Sequence, residues 1–147
     1  MPNDILTKEY IIQHGVEFET NLDFGGPYEQ GIVEYDQNDN ENLFTGLAYD
    51  LYDNGNLESY FFVENGVKQG AYVEFYPNGN IKRVGNMDKS ASEGEQIEYY
   101  ENGQLKSITN RIAGRAMTYK RFDEQGVLID EKIEPTESDL IYAKKFG

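Results

Sequence analysis

The sequence predicts a mainly β fold, a repetitive antiparallel β-meander of stacked hairpins with a period of about 24 residues and a short C-terminal helix. The phrase YDNGNLE at Tyr52 returns as YPNGNIK at Tyr76 and as YENGQLK at Tyr100, with an offset of 24 residues each time. Each copy contains Asn-Gly, the strongest short hairpin signal. The residues before each pair alternate in character, as the two faces of a strand do. Repeats of this length stack because one unit alone cannot bury an apolar face.

The length of 147 residues fits one domain, 1–147, with a modest core. Within it, 1–43 is an acidic stretch of strands and loop, 44–133 holds the repeats, and 134–147 is a tail.

Before the clear repeats, EYIIQHGVEFET (9–20) predicts a pair of short strands. The segment from Gly31 to Phe44 is interpreted as a decayed first unit, whose turn has grown into an acidic, Asn-rich loop.

Each clear unit is predicted to be a hairpin closed by a two-residue type I′ turn, which needs positive φ at both central residues. These turns are Asn54-Gly55, Asn78-Gly79 and Asn102-Gly103. A further pair, Asn65-Gly66, would turn the chain back into the following unit, so that successive hairpins form a meander.

The period of two assigns the side chains of the first strands to two faces. The core face carries Tyr49, Leu51, Val73, Phe75, Ile97 and Tyr99. The opposite face carries Asp50, Glu74 and Glu98 with Tyr52, Tyr76 and Tyr100. The tyrosine column has two interpretations, an aromatic ladder that stabilises the sheet or a surface for a partner.

A degenerate fourth unit, Tyr119 to Leu128, aligns if its turn is one residue longer, which places Lys120 at the acidic position and Phe122 at the tyrosine position. The tail predicts a helix capped by Thr136 or Ser138, with Lys144 and Lys145 near its C-terminal end.

Charge is concentrated at the beginning of the chain. The net charge is −14, and residues 1–53 hold twelve acids and one base, Lys8. Such a surface repels phosphate backbones and anionic lipids and attracts basic partners. We therefore expect neither direct nucleic-acid binding nor membrane binding. The chain has no cysteine, no secretory signal pattern and no apolar stretch of about 20 residues, so a soluble, cytoplasmic protein is expected.

No catalytic, metal or cofactor site is predicted. The single histidine, His14, lies beside Gly15 and is interpreted as a turn or surface residue. Asp36, Asn38 and Asn40 are spaced like calcium ligands, but Glu41 stands where the calcium loop needs glycine and Leu47 where it needs glutamate. We expect a protein that is not an enzyme.

The pattern Gly-x-x-x-[Glu/Asp]-x-Tyr-x-Asn-Gly-x-[Leu/Ile] occurs at 46–57, 70–81 and 94–105. It resembles the MORN-repeat variant, the unit of the YwqK-type antitoxin-like proteins of bacteria, over roughly 44–133. The resemblance implies a repetitive antiparallel sheet and, for many bacterial members, an immunity role against a secreted or contact-delivered toxin. Related MORN repeats are linked to membranes and scaffolding.

Two functional hypotheses follow. In the first, an immunity protein neutralises a basic toxin domain, a nuclease of a polymorphic toxin system, by covering it with an acidic surface. In the second, a MORN-type scaffolding or membrane module uses Lys82, Arg83, Lys106, Arg111, Arg115, Lys120 and Arg121. The oligomeric state is open between a monomer and a dimer paired at sheet edges.

For the first hypothesis the partner-binding residues are acids and tyrosines of the N-terminal region and the repeats. They are Glu17, Glu19, Asp23, Glu29, Glu34, Asp36, Asp39, Glu41, Asp50, Tyr52, Glu74, Tyr76, Glu98 and Tyr100.

Overall fold

The computed structural model describes residues 5–26 and 30–147, which form two β-sheets and three helices. In chain order the elements are α1 (Lys8–His14), β1 (Val16–Glu17), α2 (Phe18–Asn21), β2 (Leu22–Gly25), β3 (Gly31–Tyr35), β4 (Glu41–Leu43), β5 (Gly46–Leu51), β6 (Leu57–Glu64), β7 (Val67–Phe75), β8 (Ile81–Asp88), β9 (Ala91–Ser92), β10 (Gly94–Tyr99), β11 (Leu105–Ile112), β12 (Arg115–Phe122), β13 (Leu128–Lys132) and α3 (Glu137–Phe146).

The large sheet confirms the predicted meander. Its ten strands follow the order β1-β5-β6-β7-β8-β10-β11-β12-β13, with β9 paired to β8. Apart from β1, which is parallel to β5, the strands are antiparallel. The small sheet, in the order β2-β3-β4, is antiparallel too.

The core lies on both faces of the first strands of the large sheet. On the predicted core face, Tyr49, Val73 and Phe75 pack with Ile11 of α1 in one buried cluster. On the opposite face, Ala48 and Val63 pack against residues of the small sheet. Ile97 and Tyr99, farther along the predicted core face, are only partly buried. Leu51 in β5 is also only partly buried, so the buried members of the predicted stripe are Tyr49, Val73 and Phe75.

The hairpin loops at the repeat phrases differ from the predicted two-residue turns. Gly55 N–H donates to the Tyr52 carbonyl at 2.9 Å, and Tyr52 N–H donates to the Asn56 carbonyl at 2.8 Å, so the loop has three residues. Gly55 has φ +88°, whereas Asn54 is not among the described residues with positive φ. Such a loop is a β-turn followed by one left-handed residue. The same bonds recur at Tyr76 and Tyr100, so the type I′ assignment was wrong at all three.

Asn65-Gly66 is the two-residue turn that the sequence predicts. Asn65 has φ +49° and Gly66 has φ +81°, and Glu64 pairs directly with Val67. Gly66 also joins the two sheets: its N–H donates to Phe44, and its carbonyl accepts from Ile32.

Two outlying units keep the three-residue loop. Asp36 and Asp123 make the backbone bonds that Tyr52 makes, to Asn40 and Val127 respectively. The turn at Asp36 has therefore not grown, and its hairpin belongs to the small sheet.

The fourth unit likewise has no longer turn. Phe122 pairs with Leu128 as Leu51 pairs with Leu57. Asp123, not Phe122, stands at the tyrosine position, and Arg121, not Lys120, stands at the acidic position.

The N-terminal prediction of two strands over 9–20 was wrong. Residues Lys8–His14 form α1, capped by the Thr7 hydroxyl, which accepts from the Tyr10 N–H at 3.2 Å. Only Val16–Glu17 is extended, and α2 follows it. The helix buries Ile11 while leaving Tyr10 and Ile12 exposed. Because only one position is buried, the sequence shows no repeat of apolar residues at helical spacing from which α1 could have been predicted.

The C-terminal helix is confirmed. Thr136 caps α3 and forms a capping box with Asp139, and Lys144 and Lys145 lie in the last turn.

Candidate functional site: an acidic patch on the small sheet

The chain separates its charges in space. From residue 9 to residue 67 it contains thirteen acidic residues and no lysine or arginine. This stretch forms α2, the small sheet and the first strands of the large sheet. The nearest cations along the chain are Lys8 in α1 and Lys68 in β7, and the other lysines and arginines all follow Lys68.

We use the name acidic patch for five described acids on the strands and loop of the small sheet. They are Asp23, Glu34, Asp36, Asp39 and Glu41. The strand register places them on both faces of that sheet, since Asp23 pairs with Val33 and its neighbour Leu22 pairs with Glu34. All five are exposed. None of them takes part in any of the five ion pairs found among residues 5–26 and 30–147. Their charge therefore faces solvent without a compensating cation.

Hydrogen bonds fix part of the patch. Asp36 Oδ1 accepts from the backbone N–H groups of Asn40 and Asn38 at 3.0 and 2.8 Å, and these bonds lower the pKa of Asp36. Glu41 accepts from the Gly26 N–H. Asp36, the first of the candidate calcium ligands, therefore uses its Oδ1 to hold the loop together.

Exposed apolar side chains accompany these acids. Phe24 is 51% exposed, Tyr35 50% and Leu43 55%. An acidic surface that also presents aromatic rings can bury contact area as well as attract a cation. Sequence reasoning missed these three residues, although Phe24 follows Asp23 and Tyr35 follows Glu34 directly in the chain.

Glu17, Glu19 and Asp50 form a second acidic group. The Glu19 N–H donates to Asp50 Oδ1 at 3.1 Å. Burial raises the pKa of Asp50, and the charge of Glu17 adds to the effect. The structure thus brings these three predicted residues together. Glu29 lies outside the described residues.

Glu74 and Glu98 are not free for a partner, because Arg83 lies between them. Arg83 Nη1 is 2.5 Å from Glu74 Oε2, and Arg83 Nε is 3.5 Å from Glu98 Oε1. All three side chains are partly buried. Two of the three acids of the predicted column therefore share one cation inside the repeats.

The tyrosine column is a hydrogen-bond ladder. The hydroxyls of Tyr52, Tyr76 and Tyr100 donate to the carbonyls of Phe75, Tyr99 and Phe122 at 2.6, 2.8 and 2.7 Å. Each bond joins one unit to the next.

Burial is the main cause that raises the pKa values of Tyr52 and Tyr76, and neighbouring glutamates contribute. This arrangement supports the structural interpretation of the column, with hydrogen bonds rather than ring contacts as the link.

Several basic residues of the membrane hypothesis make ion pairs or ring contacts within the protein. Arg115 contacts Asp139 at 2.7 Å, and Arg121 lies 3.6 Å from Asp130. Lys82 and Lys106 lie over the rings of Tyr76 and Tyr100, with Nζ 5.8 and 5.6 Å from the centroids.

Asp139 is a buried charged residue that sequence reasoning missed. Its side chain is 3% exposed and contacts Arg115 at 2.7 Å and Lys132 at 2.5 Å. Its hydrogen bonds with Lys132, the Thr136 backbone and Arg115 hold its pKa well below the usual range. The spacing from Thr136 to Asp139 is that of a capping box and was the available signal.

His14 lies on the surface at the end of α1, as predicted, with Nδ1 3.0 Å from the Tyr10 carbonyl and its ring stacked on Tyr10. Within 5–26 and 30–147, no three or more His, Cys, Asp or Glu side chains are grouped so that they could hold a metal ion. The helices of the same residues are too short or too polar to span a bilayer.

Comparison with known proteins identifies part of the repeat region. Two segments, residues 68–89 and 92–112, match the family described as the MORN repeat variant. They correspond to β7–β8 and to the stretch from β9 to β11, and they cover less than a third of the chain. Comparison with curated proteins gave no match. Two successive segments of the repeat region are thus similar to the MORN repeat variant.

Proposed function

We propose that the chain is an immunity-type protein that binds a basic protein domain and blocks it with the acidic patch. The observation that carries the proposal is the contrast between two sets of acids. Lysines and arginines are interspersed among the acids of the repeats and tail and pair with four of them, Glu74, Glu98, Asp130 and Asp139. The acids of the patch are exposed and unpaired, in a stretch of the chain, 9–67, that contains no lysine or arginine.

The chemistry of the patch favours a cationic partner. Unpaired surface charge raises the association rate of an oppositely charged protein, while buried aromatic contact area supplies affinity. A nuclease domain of a toxin fits because it must be basic to hold a phosphate backbone. Inhibition of this kind needs no chemical step and no cofactor, and it would take place in the cytoplasm.

The proposed docking surface includes fewer residues than the partner-binding set expected from the sequence. Glu74 and Glu98 are paired with Arg83, and the tyrosine hydroxyls are used within the sheet. The proposed docking surface therefore consists of Asp23 and Glu41 with Tyr35 and Leu43 on one face of the small sheet, the loop from Asp36 to Asn40, and Glu34 with Phe24 on the other face. Glu17, Glu19 and Asp50 form a second acidic group.

The test is protection followed by kinetics. Cells that express a basic nuclease domain encoded beside this gene should survive when the protein is co-expressed. The proposal fails if the protein neither binds that domain nor protects the cells.

A double variant, Glu34→Gln with Asp39→Asn, should slow association with that domain by about three- to tenfold at low salt. Neither side chain makes a hydrogen bond within the described residues, and Asn tolerates the left-handed φ of +60° at position 39. The matched control is Glu134→Gln with Glu137→Gln, which removes two exposed acids from the tail. Equal slowing by both pairs would show that net charge, not the patch, drives binding.

A further inference from the structure

A cavity of about 350 Å³ lies on the face of the large sheet that carries Glu74 and Glu98, over the last four strands. Its lining includes Glu98, Lys106, Ser107, Thr109, Arg111 and Arg121. The volume falls within the range of small-molecule sites. The cavity is far along the sheet from the acidic patch, and it contains three of the chain's thirteen lysines and arginines.

Two largely buried residues in the cavity carry hydroxyls that have no partner among the described residues. Ser107 and Thr109 are each 7% exposed, and neither hydroxyl makes a hydrogen bond to any described residue. Neither hydroxyl oxygen is sealed from solvent, because Arg83 Nε alone is a buried side-chain nitrogen or oxygen without a hydrogen bond among the described residues. Both lie on the same face of β11 and line the cavity, where they can donate to a ligand.

Two of the three cations around these hydroxyls, Arg121 and Arg111, are held in place by their neighbours. Arg121 lies over the Tyr119 ring at 4.3 Å. Arg111 donates from Nε to Gln96 at 2.7 Å and from Nη1 to the Gly114 carbonyl at 3.0 Å. A guanidinium has five N–H donors, so both arginines keep donors for an anion.

The acids near the cavity do not cancel these charges. Glu98 shares its charge with Arg83, 3.5 Å away, and Asp130 is 3.6 Å from Arg121, a loose contact between half-exposed groups. Glu98 will weaken binding of an anion but leaves the cavity with an excess of cations.

An equivalent serine in the first unit provides an internal comparison. Ser59 pairs across the strands with Asp50 and Glu74, so acids flank it on both sides. Ser107 pairs with Glu98 and Arg121. Replacement of one flanking acid by arginine therefore distinguishes the last hairpins from the first.

We propose that this cavity binds a small-molecule oxyanion, a phosphate or a carboxylate, through the Ser107 and Thr109 hydroxyls and the guanidinium groups of Arg111 and Arg121. Planar guanidinium groups match both kinds of oxyanion, and hydroxyl donors complete the set.

The test is titration of the isotope-labelled full chain with inorganic phosphate, and separately with acetate, at constant ionic strength adjusted with sodium chloride. Backbone amide shifts should change in a saturable way at Ser107, Thr109 and Arg121. A response to phosphate alone identifies a phosphate site, and a response to acetate alone identifies a carboxylate site. If neither anion shifts these amides, the proposal is overturned.

Variants locate the site. Arg121→Gln should weaken binding about tenfold or more, and Ser107→Ala about threefold to tenfold, because hydrogen bonds to charged groups are lost. The matched controls are Lys145→Gln, which removes one distant charge, and Ser59→Ala, at the equivalent position of the first unit. Equal weakening by a variant and its control would overturn the assignment to this cavity, and thermal unfolding of every variant shows whether it is folded.

Discussion

At the scale of single residues, buried or partly buried polar side chains link segments that are far apart in the sequence. Asp139 fixes α3 to β12 and β13 through Arg115 and Lys132, and the tyrosine hydroxyls join successive units. Neither role is visible in hydrophobic periodicity, because each depends on where a partner lies in the folded chain.

Replacement of Asp139 by Asn should lower the melting temperature by about 5–10 °C, since it leaves two cations beside a neutral amide. The control is Asp130→Asn, in a half-exposed pair at 3.6 Å, which should change it little. Thermal unfolding followed by circular dichroism measures both. A shift no larger than that of the control would contradict the assigned role of Asp139.

The contribution of Asp139 should also depend on pH in a defined direction. The pKa of Asp139 in the folded chain lies below the ordinary value of 3.8. As the pH is lowered through 3.8, the unfolded state therefore binds the proton before the folded state does, and the free energy of unfolding decreases. The stability difference between the wild type and Asp139→Asn should be constant above about pH 5 and shrink toward pH 3. Urea unfolding across this range measures it, and a difference that grows on acidification would contradict the assignment.

Removal of a ladder hydroxyl should destabilise the protein. Tyr76→Phe leaves the Tyr99 carbonyl without its partner and should cost about 0.5–1.5 kcal/mol. Tyr35→Phe is the control, because Tyr35 is 50% exposed and its hydroxyl has no hydrogen bond among the described residues. Equal free energies of unfolding for the two variants would indicate that the ladder contributes nothing.

At the scale of elements, the sequence determines where the chain reverses better than how it reverses. Asn-Gly occurs at four hairpins, yet only Asn65-Gly66 forms the two-residue turn. At Asn54 the side chain instead accepts from the Asn56 N–H at 2.9 Å, which stabilises the longer loop. The Asn-Gly dipeptide is the same in both loop types, so the loop type depends on the register of the flanking strands.

The limits of sequence reasoning have the same origin at α1 and at the acidic patch. Ile11 alone is buried in α1, so no helical period existed to be read. The acids of the patch were identified from composition, but their lack of partners, and the pairing of Glu74 and Glu98 by Arg83, follow from strand register. Composition indicated the sign of the surface, and only the fold showed which charges remain free.

Gly66 and Gly55 provide a matched pair of turn substitutions. Both have positive φ, so Ala at Gly55, where the space around an added Cβ is open, should cost about 1–2 kcal/mol. A Cβ at Gly66 would lie 2.7 Å from Leu43 Cδ2 and 3.1 Å from the Ile32 carbonyl. Gly66→Ala should therefore cost at least about 1 kcal/mol more. Denaturant unfolding measures the difference, and equal costs would mean that the junction of the sheets tolerates movement.

At the scale of the whole molecule, the charge separation implies a conflict between stability and binding. The acidic patch repels itself and has no internal cation, so it lowers stability while it attracts a basic partner.

The double variant Glu34→Gln with Asp39→Asn should be more stable than the wild type at low salt, and the difference should shrink as salt screens the repulsion. Melting temperatures at low and high sodium chloride test this. A variant that is less stable than the wild type at low salt would show that the patch is neutralised in a way that the structure does not contain.

The tyrosine ladder also bears on how such a chain can lengthen. Every hydroxyl reaches forward to the following unit, and the last unit has Asp123 in place of the tyrosine, bonded to its own loop through Gln125 and Val127. If a duplicated block of 24 residues were inserted ahead of Asp123, the tyrosine hydroxyl of the preceding unit would donate to a carbonyl of the new block. The tyrosine of the new block would in turn donate to a carbonyl of the last unit. Gene duplication could then extend the sheet by about 10 Å per copy, with Asp123 as its terminator.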